Sequence, residues 1–245
     1  MQNAQLISLS RQIALQRQMD VVANNIANMN TTGFKSENML FEEFVGPVAR
    51  DNDFIGSDRP VSFVLDWATM HDLSAGAIMQ TGNPLDVALQ GDGFFAVDTP
   101  AGERWTKSGA FQINAEGVLV TLDGNPVMGD GGEIRFDATE TDITIGTDGT
   151  VSTNAGAKGS IRIVEFTNPQ ELAREGNNLY SGGTPLPNLG TRAMQGAIEK
   201  SNVSGVAEMT EMIRVQRAYQ SLASMVQKQD DVQAQAIKRL GSLNA

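Results

Sequence analysis

The chain has 245 residues, 40% of them hydrophobic and only 6% aromatic, so it can bury a sizeable core in one or two domains. A formal net charge of −11 excludes the basic face that a nucleic-acid binder needs, and the absence of cysteine excludes disulfides and thiolate metal sites. The charge is uneven: residues 1–35 carry +2, residues 199–245 carry +1, and the stretch between them carries −14. No apolar run reaches the roughly 20 residues of a membrane span, and Arg11, Gln12, Gln16, Arg17 and Gln18 interrupt any signal-peptide core.

In chain order, the first predicted element is a helix. Leu15, Met19, Val22, Ile26 and Met29 are spaced 4, 3, 4, 3, a heptad seam, and the shorter stripe Leu6, Leu9, Ile13 precedes it. Asn24, Asn25, Asn28 and Asn30 crowd the end of that run. Asparagine is an indifferent helix former because its amide competes for backbone partners. Its presence here predicts amide hydrogen bonds to a neighbouring chain or to the helix's own exit. Gly33 tolerates positive φ and is the expected stop, with Phe34 just beyond it.

Residues 36–75 show no sustained period. Phe41, Phe44, Phe54 and Phe63 are scattered among Gly46-Pro47, Gly56 and Arg59-Pro60, which predicts an extended connector whose aromatics dock elsewhere. From residue 76 the glycine density rises, with 19 of the 25 glycines between 76 and 190. Leu85–Leu89, Phe94–Val97, Phe111–Ile113, Val118–Leu122, Ile143–Ile145 and Ile161–Phe166 read as short strands divided by Asp-Gly and Asn-Pro turns. That pattern predicts a compact antiparallel domain over 76–198. Residues 206–240, like 1–32, contain no glycine, and there Met212, Val215, Tyr219, Leu222 and Val226 are spaced 3, 4, 3, 4. The resulting fold class is α+β. N- and C-terminal helices (1–35 and 199–245) pair in coiled-coil fashion as an assembly domain around a central β domain, with 36–75 as the connector.

Catalytic and cofactor motifs are thin. Gly91-Asp92-Gly93-Phe94-Phe95-Ala96 fits G-x-G-x-x-A, but Phe94 onward reads as a strand, whereas a dinucleotide site needs a helix there. The single histidine, His71, cannot supply a multi-histidine metal site, and no G-x-S-x-G elbow is present. The Asp-Gly pairs lack the alternating ligands of a calcium loop. Asp86, Asp92 and Lys107 are the best cluster for a binding or enzymatic alternative, and they are scattered. The expectation is no enzyme, no cofactor and no metal.

Ala23 through Lys35, A-N-N-I-A-N-M-N-T-T-G-F-K, resembles the N-terminal signature of the bacterial flagellar axial proteins, A-N-N-(I/L)-A-N-x-N-T-x-G-(F/Y)-(K/R), at every fixed position. Thr81–Val97 resembles that family's T-x-x-P-L-D-(V/L)-A-(I/L)-x-G-x-G-F-F. Glu199–Val203 and Met209–Tyr219 resemble its E-x-S-N-V and M-I-x-x-Q-R-x-Y. Trp105 stands where tyrosine is usual, and Gln220 follows Tyr219 where glutamate is more common. The resemblance implies a structural subunit of the flagellar basal-body rod, of the intermediate size of its proximal and distal members. The Arg11–Gln18 run favours the proximal one. It also implies other rod subunits and further copies of itself as partners, transit through the flagellar export apparatus without a cleaved signal peptide, and no nucleic acid or membrane insertion. A periplasmic binding domain and an extracellular filament or adhesin subunit are the competing readings.

Overall fold

The computed structural model describes residues 2–46, 61–188 and 190–242, which divide into two compact units. The helical unit comprises residues 1–26, 37–70 and 204–245, and the β unit comprises 27–36 and 71–203. These boundaries differ from those that composition suggests, because residues 27–36 are held by hydrogen bonds to the β unit although they lack its glycine-rich character.

In the helical unit, α1 spans Gln2–Ala27 and α2 spans Gly205–Ser242. At 1.5 Å per residue α2 is about 57 Å long. Glu208 in its first turn and Arg239 in its last both complement the helix dipole. Between the helices in sequence, β1 (Glu37–Gly46) and β2 (Val61–His71) pair as a two-stranded sheet. These long strands occupy the region where the sequence shows no period. Phe41 and Phe44 lie on β1 and Phe63 on β2, while Phe54 lies outside the described residues. Gln18 Nε2 donates 2.8 Å to Glu211 Oε1, joining α1 to α2.

The β unit is built on a six-stranded antiparallel sheet. Its middle strands are β5 (Phe94–Thr99) and β6 (Gly102–Thr106). Beyond β6 lie Leu179–Ser181 and Ala173–Glu175, and beyond β5 lie Ile163–Glu165 and Leu186–Pro187. Side chains alternate across a strand, so β5 feeds two cores. Phe95 and Val97 pack with Val87, Phe111, Leu119, Val127 and Ile161 on one face. Phe94 and Ala96 pack with Trp105, Val164, Leu172 and Tyr180 on the other. Smaller antiparallel pairs flank the sheet: β3 (Ile78–Gln80) with Ala197–Glu199, and β4 (Val87–Gln90) with Arg192–Gln195.

The Gly91-Asp92-Gly93 sequence is the turn from β4 to β5. A Cβ on Gly91, at φ +134°, would sit 2.7 Å from Thr191 Oγ1. A strand follows this turn, so no helix N-terminus is available to a pyrophosphate.

Candidate functional site

The N-terminal signature does not act as one piece; its two ends belong to different units. In the helical unit, Asn25 is 1% exposed. Its Nδ2 donates 2.9 Å to the Glu37 carbonyl oxygen, and its Oδ1 accepts the Glu37 N–H at 3.0 Å. The same amide lowers the pKa of the nearby Glu208 carboxyl. One side chain thus binds α1 to the start of β1 and also acts on the first turn of α2. Burial raises the Glu208 pKa above its ordinary value, the Asn25 amide pulls it back, and the neighbouring Glu211 charge adds to the rise. Glu211 is pulled the other way by its hydrogen bond to Arg214.

The remaining asparagines sit differently. Asn24 is exposed, and Asn28 accepts the Thr31 hydroxyl at its Oδ1, 3.1 Å away. Asn30 is exposed in the turn that follows α1. Of the two destinations that the sequence allows, Asn25 and Asn28 have bonds at the helix's own exit.

That exit comes earlier than glycine placement suggests. α1 ends at Ala27, six residues before Gly33. Gly33 does have positive φ, +67°, but for a tertiary reason. A Cβ there would lie 2.5 Å from both the Lys107 carbonyl oxygen and Ser108 N. Met29, the last member of the predicted seam, falls in the turn beyond the helix and is 37% exposed. Of the other seam positions, Val22 and Val215 are buried. Leu15, Met19, Ile26, Met212, Tyr219, Leu222 and Val226 are half-buried.

In the β unit the second half of the signature is threaded into a polar groove. Thr32 accepts Asn178 Nδ2 at 3.0 Å, and the Gly33 N–H reaches the Glu199 carbonyl at 2.7 Å. Phe34, fully buried, lies under the Arg174 guanidinium, 3.9 Å from its ring centroid, and Arg174 Nη1 donates 3.2 Å to the Lys35 carbonyl. Lys35 is fully buried: Nζ donates 2.6 Å to Glu199 Oε1 and 2.7 Å to the Ser74 carbonyl. Glu199 Oε1 also accepts the Gly76 N–H at 2.8 Å. The Ser36 N–H goes to Asn202 Oδ1 at 2.8 Å, and Asn202 Nδ2 continues to the Asp72 carbonyl. The E-x-S-N-V segment is therefore the receptor for the F-K-S segment, with Glu199 and Asn202 as its two working side chains.

Beneath this groove Lys107 is 4% exposed, its Nζ 2.9 Å from the Gly91 carbonyl and 4.8 Å from the Phe94 ring centroid. Burial pushes its pKa down to about 8, against an upward pull from Glu199 and a further downward push from Lys35. Asp72, held low by its hydrogen bonds to Ser74 and by the Lys35 charge, completes the charged surroundings. Of the scattered trio Asp86, Asp92 and Lys107, Asp86 instead accepts from Asn83 Nδ2, and Asp92 is exposed. Among the described residues no group of three metal-ligating side chains occurs, and no helix is long and apolar enough to cross a membrane.

Lys35, Glu199 and Asn202 lie inside motifs legible in the sequence, yet composition alone does not single them out. The opposite charges of Lys35 and Glu199 are the available signal for those two. Arg174 and Asn178 give none.

Three family models match. The one for flagella basal body rod proteins covers residues 6–35, the flagellar hook protein FlgE/F/G D1 domain covers 88–153, and the flagellar basal body rod FlgEFG protein C-terminal region covers 194–239. A flagellar basal-body rod protein FlgF of Caulobacter vibrioides is 42% identical over 100% of both chains. The FlgF of Mesorhizobium japonicum is 36% identical over 99% of both. The chain belongs to the flagellar basal-body rod protein family. A FlgG of Bacillus subtilis is 35% identical over 89% of this chain and 91% of its own. The matches to these two FlgF relatives run end to end and are higher in identity than that to this FlgG, which makes the chain most like the FlgF members of the rod family. Asn25, Phe34 and Lys35 fall within the N-terminal rod match, and Glu199, Asn202 and Glu208 within the C-terminal one.

Proposed function

We propose that this chain is a structural subunit of the flagellar basal-body rod, without catalytic activity. In this reading it polymerises through α1 and α2 into the periplasmic shaft that carries torque. The observation that carries the mechanism is apolar surface on helices whose inner faces are already occupied. Leu9 and Ile13 on α1 are 52% and 47% exposed. On α2, Val206, Met209, Ile213, Met225 and Val232 are between 50% and 77% exposed. A monomeric helix normally presents a polar outer face, so apolar outer positions mark sites that another chain covers.

The half-buried seams of α1 and α2 pair within one subunit in coiled-coil fashion, with Gln18–Glu211 as a polar rung. The outward positions meet other copies and other rod subunits. The near-neutral ends then lie in the packed shaft, where like charges do not oppose stacking. The subunit reaches the basal body through the flagellar export apparatus.

The test is a Met209→Glu, Ile213→Glu variant. Purified, it should keep the wild-type circular dichroism and thermal midpoint. In a strain lacking the native chain it should fail to restore swimming, with no basal bodies containing it. Wild-type motility from that variant would refute assembly through this face.

A further inference from the structure

The groove that holds residues 32–36 has a property that an ordinary core lacks: its occupant is a short segment tethered on both sides. Residues 27–36 belong to the β unit, whereas residues up to 26 and from 37 onward belong to the helical unit. All their principal ties are to distant residues: Ser74, Arg174, Asn178, Glu199 and Asn202. The occupant and its receptor are therefore separable pieces of chain. The linker before them, residues 28–31, is a turn with Met29 and Asn30 exposed. The apolar seam of α1 continues in phase to that exposed Met29, so the linker has a second conformation written into it, a longer helix that would carry the segment away from its own groove. Finally, the ion pair at the centre is buried. Such a pair loses much of its attraction to desolvation, and releasing it rehydrates both charges, so leaving costs less than withdrawing an apolar plug of equal size.

We propose that this groove also accepts the Thr32–Ser36 segment of a second copy, so that neighbouring copies exchange these segments when α1 extends through Met29. Every contact made within one chain is available between two, which is the condition for exchange of identical elements between protomers. The partner is another copy, because the groove's chemistry is set by its own segment: a glycine against the Lys107 backbone, an aromatic under Arg174 and an ammonium on Glu199. The setting, copies held side by side, rests on the polymer reading above.

Charge reversal tests this directly. K35E places a carboxylate against Glu199, and E199K places an ammonium against Lys35 and close to Lys107. Each alone should lower the thermal midpoint by about 10 °C, as expected for disrupting a buried pair. Mixed in equal amounts, the two variants match only across chains: the carboxylate introduced by K35E in one copy meets the ammonium introduced by E199K in the other, and the remaining site keeps its native pair. The mixture should form a heterodimer by native mass spectrometry and regain at least half of the lost midpoint. The double reversal K35E/E199K sets the recovery attainable within one chain. A mixture that stays as two unstable monomers while the double reversal recovers overturns the exchange. If the double reversal does not recover, deletion of Asn30 and Thr31 decides. Removing two residues shortens the linker's reach by up to about 7 Å and strains the hold of a chain on its own segment, so an obligate dimer supports the proposal and a monomer, folded or not, overturns it. A wild-type chain that polymerises without exchange leaves the polymer reading standing.

Discussion

Replacing Asn25 by alanine removes two hydrogen bonds to the Glu37 backbone from a position that is 1% exposed, and with them the amide that lowers the Glu208 pKa. A buried polar group left without a partner costs about 1–3 kcal/mol. Glu37 is half-buried, so water can reach one of its two freed groups, and Glu208 is exposed enough to be rehydrated. The expected cost is therefore about 2–3 kcal/mol rather than the sum of the full penalties. Asn25→Asp separates the parts of that cost. It keeps the shape and the acceptor for the Glu37 N–H, but loses the donors and adds a negative charge beside Glu208. It should be worse than alanine at pH 7 and should recover as the solution is acidified toward the raised pKa of Glu208. Urea unfolding followed by the helical signal, with hydrogen exchange at the Glu37 amide, measures both. If Asn25→Ala unfolds within about 0.5 kcal/mol of wild type, the size expected of an ordinary surface change, the clamp does not hold the helical unit together.

In the β unit, Gly33→Ala combines a Cβ collision with the Lys107 backbone and a positive φ, and should cost more than about 3 kcal/mol in urea melts, while Gly82→Ala, with open space around it, should cost only the strain of its own φ. Because the folded-state pKa of Lys107 lies below its ordinary 10.5, the folded chain gives up that proton first. Stability should rise with pH between about 8 and 10.5, by at most about 3 kcal/mol, and Lys107→Met should flatten the slope. Glu208 has the opposite sign: its raised pKa makes the helical unit less stable as pH climbs through the carboxylate range, and Glu208→Gln should remove that dependence in a urea-midpoint series from pH 4 to 7. Phe34→Ala should cost about 3–5 kcal/mol and free the Arg174 guanidinium, visible as faster exchange of the Ser36 amide.

Periodicity carries the helices and the apolar strands. Phe94–Val97 is legible because its successive apolar residues fill the cores on both faces of the sheet, and Phe111–Ile113 because it alternates, with Phe111 entering one of those cores. Gly102–Thr106 and Gly156–Ser160 are strands without that signal, since their pairing is decided by neighbours in the sheet rather than by their own side chains. The two-stranded sheet of β1 and β2 shows no period for a similar reason. The end of α1 cannot be read from Gly33, because that glycine answers to Lys107, more than 70 residues away, and not to the helix before it. Asn25 is legible as an unusual residue, but its partners are not. A side chain that bonds backbone at Glu37 leaves no mark on the identity of residue 37. Lys35 and Glu199 are each visible as charges, and nothing in a linear sequence pairs positions 164 residues apart.

The distance between those partners also bears on when the molecule can fold. Gln18 waits for Glu211, Asn25 for Glu208 and Lys35 for Glu199, so both units are closed by contacts between the first and last fifths of the chain. Contacts of such high sequence separation form late and slowly. A growing or threading chain must therefore pass nearly its whole length before these closing contacts can form, although the central sheet of the β unit, from Phe94 to Pro187, needs neither end of the chain.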